Sequence, residues 1–299
     1  MRILLLGANG QVGFALHRSL VAHGEVLATT RSGRLPGSNA PCEVADFDQP
    51  PSLDALVRRI VPDLVVNAAA YTAVDKAESE PEVAHRANAE AVGVLARACE
   101  ARGVPLVHYS TDYVFPGDAS RPWREDDPTA PLGVYGASKL AGEDAIRASG
   151  CQHLILRTAW VYGARGHNFL RTMLRLGAER DQLRVVADQT GSPTPAAWIA
   201  QATALALGRM DGQSGTWNLV AGGETSWHGF AAAIFDDAMA AGLIERKPEV
   251  LPVPSSEYPT PAQRPAYSRL DTGRLARDFG IELPDWREGV RQVIGELAG

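Results

Sequence analysis

Short apolar runs alternate with longer amphipathic ones through the first half of the chain. Arg2–Leu6, Glu25–Thr30, Asp63–Asn67, Leu106–Tyr109 and His153–Arg157 are largely apolar and too short for helices, so they predict buried strands. Between them, Gln11–His23, Ser52–Val61, Glu82–Arg102 and Tyr135–Ala148 carry apolar residues at helical spacing. The third of these helices is bounded by Pro81 at one end and by Gly103 and Pro105 at the other. The alternation predicts an α/β chain with a Rossmann-type, doubly wound parallel sheet, covered by helices on both faces.

Beyond residue 165 the rhythm loosens. Helices are predicted at Asn168–Glu179 and Ala196–Gly208, a loop at Asp188–Thr194 and a strand at Thr216–Val220. Two closing helices follow, at Thr272–Phe279 and Trp286–Leu297. Six of the chain's 20 prolines fall within 248–265, which predicts extended loop over a surface. The expected organisation is a cofactor domain from residues 1–164 and 195–224, with a smaller C-terminal substrate lobe from 165–194 and 225–299.

Composition narrows the function classes. The chain has 299 residues, 45% hydrophobic and 21% charged, an ordinary globular balance. A net charge of −6 with no basic stripe argues against a nucleic-acid partner. Cys42, Cys99 and Cys151 lack metal-ligand spacing and read as small buried hydrophobes in a reducing compartment. Ile3–Leu6 is too short for a secretory segment, and no apolar run approaches the roughly 20 residues of a membrane span. A soluble, cytoplasmic protein without a membrane partner is expected.

Gly7, Gly10 and Gly13 lie between the first predicted strand and helix, where glycines let the backbone turn under a pyrophosphate at the helix N-terminus. The spacing is G-x-x-G-x-x-G, not G-x-G-x-x-G, and the bland alternative is a tight turn. After the second strand the chain reads Thr29-Thr30-Arg31-Ser32-Gly33-Arg34, with no acid until Glu43. Hydroxyls and arginines there favour a ribose 2′-phosphate, hence NADPH over NADH, unless the loop is merely solvated. Asp46 and Phe47 either flank an adenine or belong to the next turn.

Tyr135-Gly-Ala-Ser-Lys139 places a phenol and an ammonium one helical turn apart. A nearby ammonium is expected to lower the phenol's pKa from its usual value of roughly 10 and suit it to proton transfer. Upstream, Ser110-Thr111-Asp112 ends a predicted strand, where open α/β sheets bind ligands. Thr111 can bond the carbonyl oxygen that Tyr135 protonates, or simply cap the strand end. Asn67-Ala-Ala-Ala70 offers small residues against which a cofactor can lie, or which only pack helix on strand. Asp75-Lys76 reads as an ion pair at a helix start, and the seven histidines show no paired spacing.

The glycine turn, N-A-A-A, S-T-D and Y-x-x-x-K in this order resemble the extended short-chain dehydrogenase/reductase superfamily. The resemblance narrows to the dTDP-4-dehydrorhamnose reductases through four runs: Val66–Pro81, His108–Gly117, Val134–Glu143 and Arg157–Tyr162. Asp188–Thr194, Leu219–Gly223 and Tyr258–Pro265 agree as well, so the match spans essentially the whole chain. It implies that NADPH or NADH reduces C4 of dTDP-6-deoxy-L-lyxo-4-hexulose, giving dTDP-L-rhamnose. It further implies Tyr135 as proton donor, Lys139 as its ribose-holding partner and Thr111 as the group that orients the carbonyl. Gly10, Gln11, Val12, Ala70, Tyr71 and Thr72 would line the cofactor. Trp160, Asp112, Asn168 and Arg264 would face the sugar nucleotide, although a core tryptophan and a turn aspartate are the bland readings of the first two.

Related dehydratases carry a glutamate where Tyr113 stands, so elimination lacks its base here and simple reduction is expected. A non-catalytic regulatory subunit would be expected to lose Tyr135 or Lys139, and an NAD-keeping epimerase to keep a strand-2 acid. The resemblance also implies Mg2+-linked dimers in some members. At the matching helices this chain offers Ala15, Ala197 and Glu296, and one carboxylate is too few for Mg2+. A monomer or weak homodimer without metal is expected.

Overall fold

The computed structural model describes residues 1–35, 37–210 and 212–299. Seven parallel strands form one sheet: β1 (Arg2–Leu6), β2 (Glu25–Thr30), β3 (Glu43–Val44), β4 (Leu64–Asn67), β5 (Leu106–Thr111), β6 (His153–Thr158) and β7 (Gly215–Asn218). Their spatial order is β7-β6-β5-β4-β1-β2-β3. Leu4 sits beside Leu27 on one side and Val65 on the other.

The strands read as continuous apolar runs because both sheet faces are covered. Ile3 and Leu5 point to one face, where helices Gln11–Ser19 and Ala196–Leu207 contribute Leu16, Ile199 and Ala202. Leu4 and Leu6 point to the other, under Leu53 and Val57 of helix Pro50–Ile60 and Val92 and Leu95 of helix Ala91–Glu100. Strand order reverses at β1 and β4, so their C-terminal ends open the crevice where such sheets bind ligands.

The later chain builds a third core from Tyr162, Leu170, Trp198, Phe230, Phe235 and Trp286. Three structural features depart from the sequence expectations. Helix Trp227–Ala240 was not anticipated, since its alanine-rich run has no clear polar face. Glu249–Val253, expected as loop, pairs in parallel with an equally unforeseen strand, Gln182–Val186. Pro252 is tolerated because this ribbon has only two strands, leaving an edge free of ladder bonds. The single helix expected over 82–102 is α-helical at Pro81–His85, a π-turn at Arg86–Glu90, then α-helical again at Ala91–Glu100.

Helix Val134–Ser149, which carries Tyr135, is locked to β6 by a buried ion pair. Arg157 Nε and Nη2 donate to the two Glu143 oxygens at 2.9 and 2.7 Å. Burial works to raise the Glu143 carboxyl, but the Arg157 hydrogen bonds and charge outweigh it and leave the pKa lowered.

Candidate active site

At the switch point lies a cleft of about 500 Å3 lined by Gly7, Asn9, Gly10, Arg31, Phe47, Ala68–Ala70 and Tyr71, among others. Gly7 has φ +78°, and a Cβ there would come within 2.6 Å of the Ala69 nitrogen. A Cβ on Gly13 would meet the Gly7 carbonyl at 2.0 Å, so helix and turn approach closely only because both residues are glycine. Gly10 caps the helix without any side-chain hydrogen bond, leaving first-turn N–H groups to meet an anion. The cradle therefore fits a dinucleotide pyrophosphate.

Gln11 and Val12 carry two of those first-turn N–H groups; the Gln11 side-chain Oε1 accepts from Asn168 Nδ2 at 2.8 Å, and the Val12 side chain packs against the core. Thr72 is exposed next to Tyr71, which lines the cleft. Asp46 Oδ1 accepts the Asp48 N–H at 3.0 Å, which is the turn role. The stretch after β2 holds no acid of its own, but Asp48 Oδ2 lies 3.2 Å and Asp46 Oδ1 3.7 Å from the Arg31 guanidinium. The acids arrive from the loop after β3, which is why the strand-2 sequence hides them.

The catalytic candidates converge at the end of β5. Thr111 Oγ1 donates to Asp112 Oδ1 at 2.9 Å and accepts the Tyr113 N–H at 3.2 Å. The Tyr113 ring meets Tyr135 edge-on, with centroids 5.5 Å apart. Burial pushes Asp112 up to about 6, partly opposed by the Thr111 bond, and its Oδ2 has no partner among the described residues.

Tyr135 differs from expectation. Its pKa is raised, first by burial and then by the Asp112 charge, with the Thr111 hydroxyl working the other way. Lys139 does not lower it because Nζ points beneath the strand, donating to the Tyr109 carbonyl at 2.6 Å. Nζ also lies 3.3 Å from His108 Nε2, and burial brings Lys139 down to about 8.

His108 and Asn67 complete a chain that sequence reasoning left unassigned. Asn67 Oδ1 accepts the Ala69 N–H, so its amide nitrogen faces His108 Nδ1 at 3.0 Å. That pairing selects the tautomer protonated on Nε2, the nitrogen facing Lys139. Burial, then the Lys139 charge, holds His108 well below its usual pKa and hence neutral. Asn88, in the π-turn, is likewise missed: its amide bonds both polar groups of the Tyr71 backbone and the Ser138 hydroxyl. A lone asparagine in a helix carries no sequence signal for this.

On the substrate side, Trp160 holds φ +47° and stacks on Trp227 with centroids 3.5 Å apart. Arg264 donates to Asp75 at 2.7 Å and approaches the Tyr113 hydroxyl at 3.5 Å. The expected Asp75–Lys76 pair is thereby replaced, since Lys76 pairs with Glu80 at 2.8 Å. Asn168 Oδ1 caps helix Phe169–Glu179 by accepting the Arg171 N–H, and its Nδ2 donates to Gln11, Gly163 and Arg165. Ala15, Ala197 and Glu296 line a separate groove of about 760 Å3, where only Glu296 brings a carboxylate. That residue set does not fit Mg2+.

The family model described as "RmlD substrate binding domain" matches residues 1–298. A dTDP-4-dehydrorhamnose reductase of Salmonella typhimurium strain LT2 is 48% identical, over 99% of this chain and 98% of its own. The chain belongs to the dTDP-4-dehydrorhamnose reductase family. The crystal structure of such a reductase from Clostridium acetobutylicum is similar along 100% of both chains, with TM-score 0.90 and 34% identity. Another, from Bacillus anthracis in complex with NADP, has TM-score 0.87 and 34% identity over 99% of each chain. No helix among the described residues is long and apolar enough to cross a membrane.

Proposed function

We propose that this protein reduces the C4 keto group of dTDP-6-deoxy-L-lyxo-4-hexulose to dTDP-L-rhamnose, using NADPH or NADH. The observation that carries the reading is the pairing of Tyr135 with Thr111 at the C-terminal end of β5, in the sheet whose first strand leads into the glycine cradle, in a chain of this family. The nicotinamide cofactor, when bound, supplies hydride to C4. Tyr135 gives its phenolic proton to O4 and is reprotonated from solvent; its raised pKa keeps it in the required protonated form beforehand. Thr111 turns its hydroxyl from Asp112 to the same oxygen. Lys139, which here donates to the Tyr109 carbonyl, would hold the ribose hydroxyls of the bound cofactor, and its charge would stabilise the tyrosinate.

Trp160, propped by Trp227, forms the wall for the apolar sugar face, and Asp112 and Arg264 serve the polar side. Residues 1–164 and 195–224 serve the cofactor, and 165–194 and 225–299 the sugar nucleotide. Buried, unpaired Cys99 and Cys151 suit a cytoplasmic setting, with the chain acting as a monomer or weak homodimer. The test supplies purified protein with NADPH and the 4-keto sugar nucleotide. Cofactor oxidation that depends on the sugar nucleotide, with dTDP-L-rhamnose accumulating, is the expected result. No turnover with either cofactor overturns the reading.

A further inference from the structure

Asn67, His108 and Lys139, each almost wholly buried, form a chain of side chains that crosses from β4 through β5 to helix Val134–Ser149. Asn67 Oδ1 accepts the Ala69 N–H at 3.1 Å, so its Nδ2 donates to His108 Nδ1 at 3.0 Å and the ring proton sits on Nε2. That N–H faces Lys139 Nζ at 3.3 Å. An ammonium has three donors and no acceptor, so it meets a donor there and keeps the Tyr109 carbonyl at 2.6 Å. An uncharged amine fits both neighbours, because its lone pair accepts from Nε2–H while it donates to the carbonyl. The opposite tautomer would set Nδ1–H against the Asn67 amide, and rotating that amide would strand the Ala69 N–H. Glu143, on the same helix, favours the ammonium but is bound by Arg157 of β6. Burial outweighs it and brings Lys139 down to about 8.

We propose that His108 is a positioning residue: through the tautomer that Asn67 imposes, it denies the Lys139 ammonium an acceptor, so that the lysine is held loosely on the Tyr109 carbonyl and is free to engage the cofactor. The imidazole touches neither cofactor nor sugar and acts only through Lys139. The inference rests on the role of Lys139 given under Proposed function.

The chain has three lysines, and Lys76 and Lys247 are exposed and paired with carboxylates, so lysine-labelled protein gives Lys139 a distinct NMR titration. In the unliganded parent, the ring-nitrogen shifts of His108 are expected to show the proton on Nε2. A proton on Nδ1 overturns the inference, and this reading needs no variant. His108→Phe keeps a buried ring without the facing donor and should raise the Lys139 midpoint by about one pH unit, a tenfold gain in proton affinity. His108→Gln, whose amide can accept from Asn67 and donate to Lys139, should restore the parent's midpoint. A midpoint that falls in His108→Phe would show the ring accepting from the ammonium, and one that stays put would show mere packing; either overturns the inference. Calorimetric titration of the parent with NADPH near pH 8, in buffers of different ionisation enthalpy, should show uptake of up to about half a proton as Lys139 engages the cofactor in its charged form. The uptake should shrink in His108→Phe. Binding without proton uptake overturns the inference and leaves the reductase reading standing. Failure of the parent to bind either NADPH or NADH overturns the cofactor reading and this inference together.

Discussion

Tyr135, the acid in our proposal, stands in an environment that makes it a reluctant one. Burial and Asp112 keep the phenol protonated, while Lys139 Nζ is held by the Tyr109 carbonyl. Tyr135→Phe removes only the proton donor. Its kcat should fall by about 10²–10⁴ while the dissociation constant for NADPH stays the same, as read by steady-state kinetics and titration. Lys139 itself gives a prediction that needs no substrate. Its folded pKa of about 8 lies below its ordinary value of 10.5, so the charged form weakens the fold at neutral pH. The folded chain sheds the proton above about 8, and the penalty has gone once the unfolded chain also loses it above 10.5. Lys139→Met should therefore gain most over the parent near neutral pH, and the gain should shrink as pH rises from 8 toward 10.5. Thermal unfolding across that range checks the trend; a difference flat with pH would contradict it. The Y-x-x-x-K spacing was legible in the sequence because helical periodicity fixes it. Where Nζ points was not, because the acceptor is the Tyr109 carbonyl on another element.

At the scale of elements, the site depends on helix Val134–Ser149 holding its place against β5 and β6. Arg157 and Glu143 are both almost wholly buried, at 3% and 0% side-chain exposure, so neither tolerates loss of the other. Arg157→Met removes both buried hydrogen bonds to Glu143, leaving it only the half-exposed Arg147, and should cost about 3–5 kcal/mol, measured by urea unfolding. A loss below about 1 kcal/mol would mean that Arg147, 3.1 Å from the same carboxylate, takes over the pairing. The helices and strands of the first half were readable from apolar period, since each faces one continuous core. The π-turn at Arg86–Glu90 was not. It arises where Asn88 leaves the helix pattern to bond Tyr71 and Ser138, a tertiary demand that local propensity does not encode.

For the whole molecule, the groove of about 760 Å3 between helices Gln11–Ser19, Ala196–Leu207 and Trp286–Ala298 is where Ala15, Ala197 and Glu296 meet. Two alanines supply no ligand oxygens. EDTA should therefore leave both turnover and the mass in solution unchanged, as followed by kinetics and analytical ultracentrifugation. A loss reversed by Mg2+ would show that other carboxylates supply the ligands. The same groove borders the Gln11–Asn168 hydrogen bond, which ties the first helix to the later chain. Their side chains join regions 157 residues apart in sequence.

By itself the sequence determined the parallel sheet, the glycine turn and the order of the catalytic motifs. These depend on local period and on residues whose chemistry is fixed by neighbours a few positions away. Tertiary structure alone decided which charges oppose one another. Asp48 reaches Arg31 from beyond β3, and Arg264 takes Asp75 from Lys76. It also decided that Glu249–Val253 is a strand, since its partner, Gln182–Val186, lies far away in the chain. Hydrophobic period is a property of one segment. A Coulombic or ladder partner is a property of two, and only folding brings the second into place.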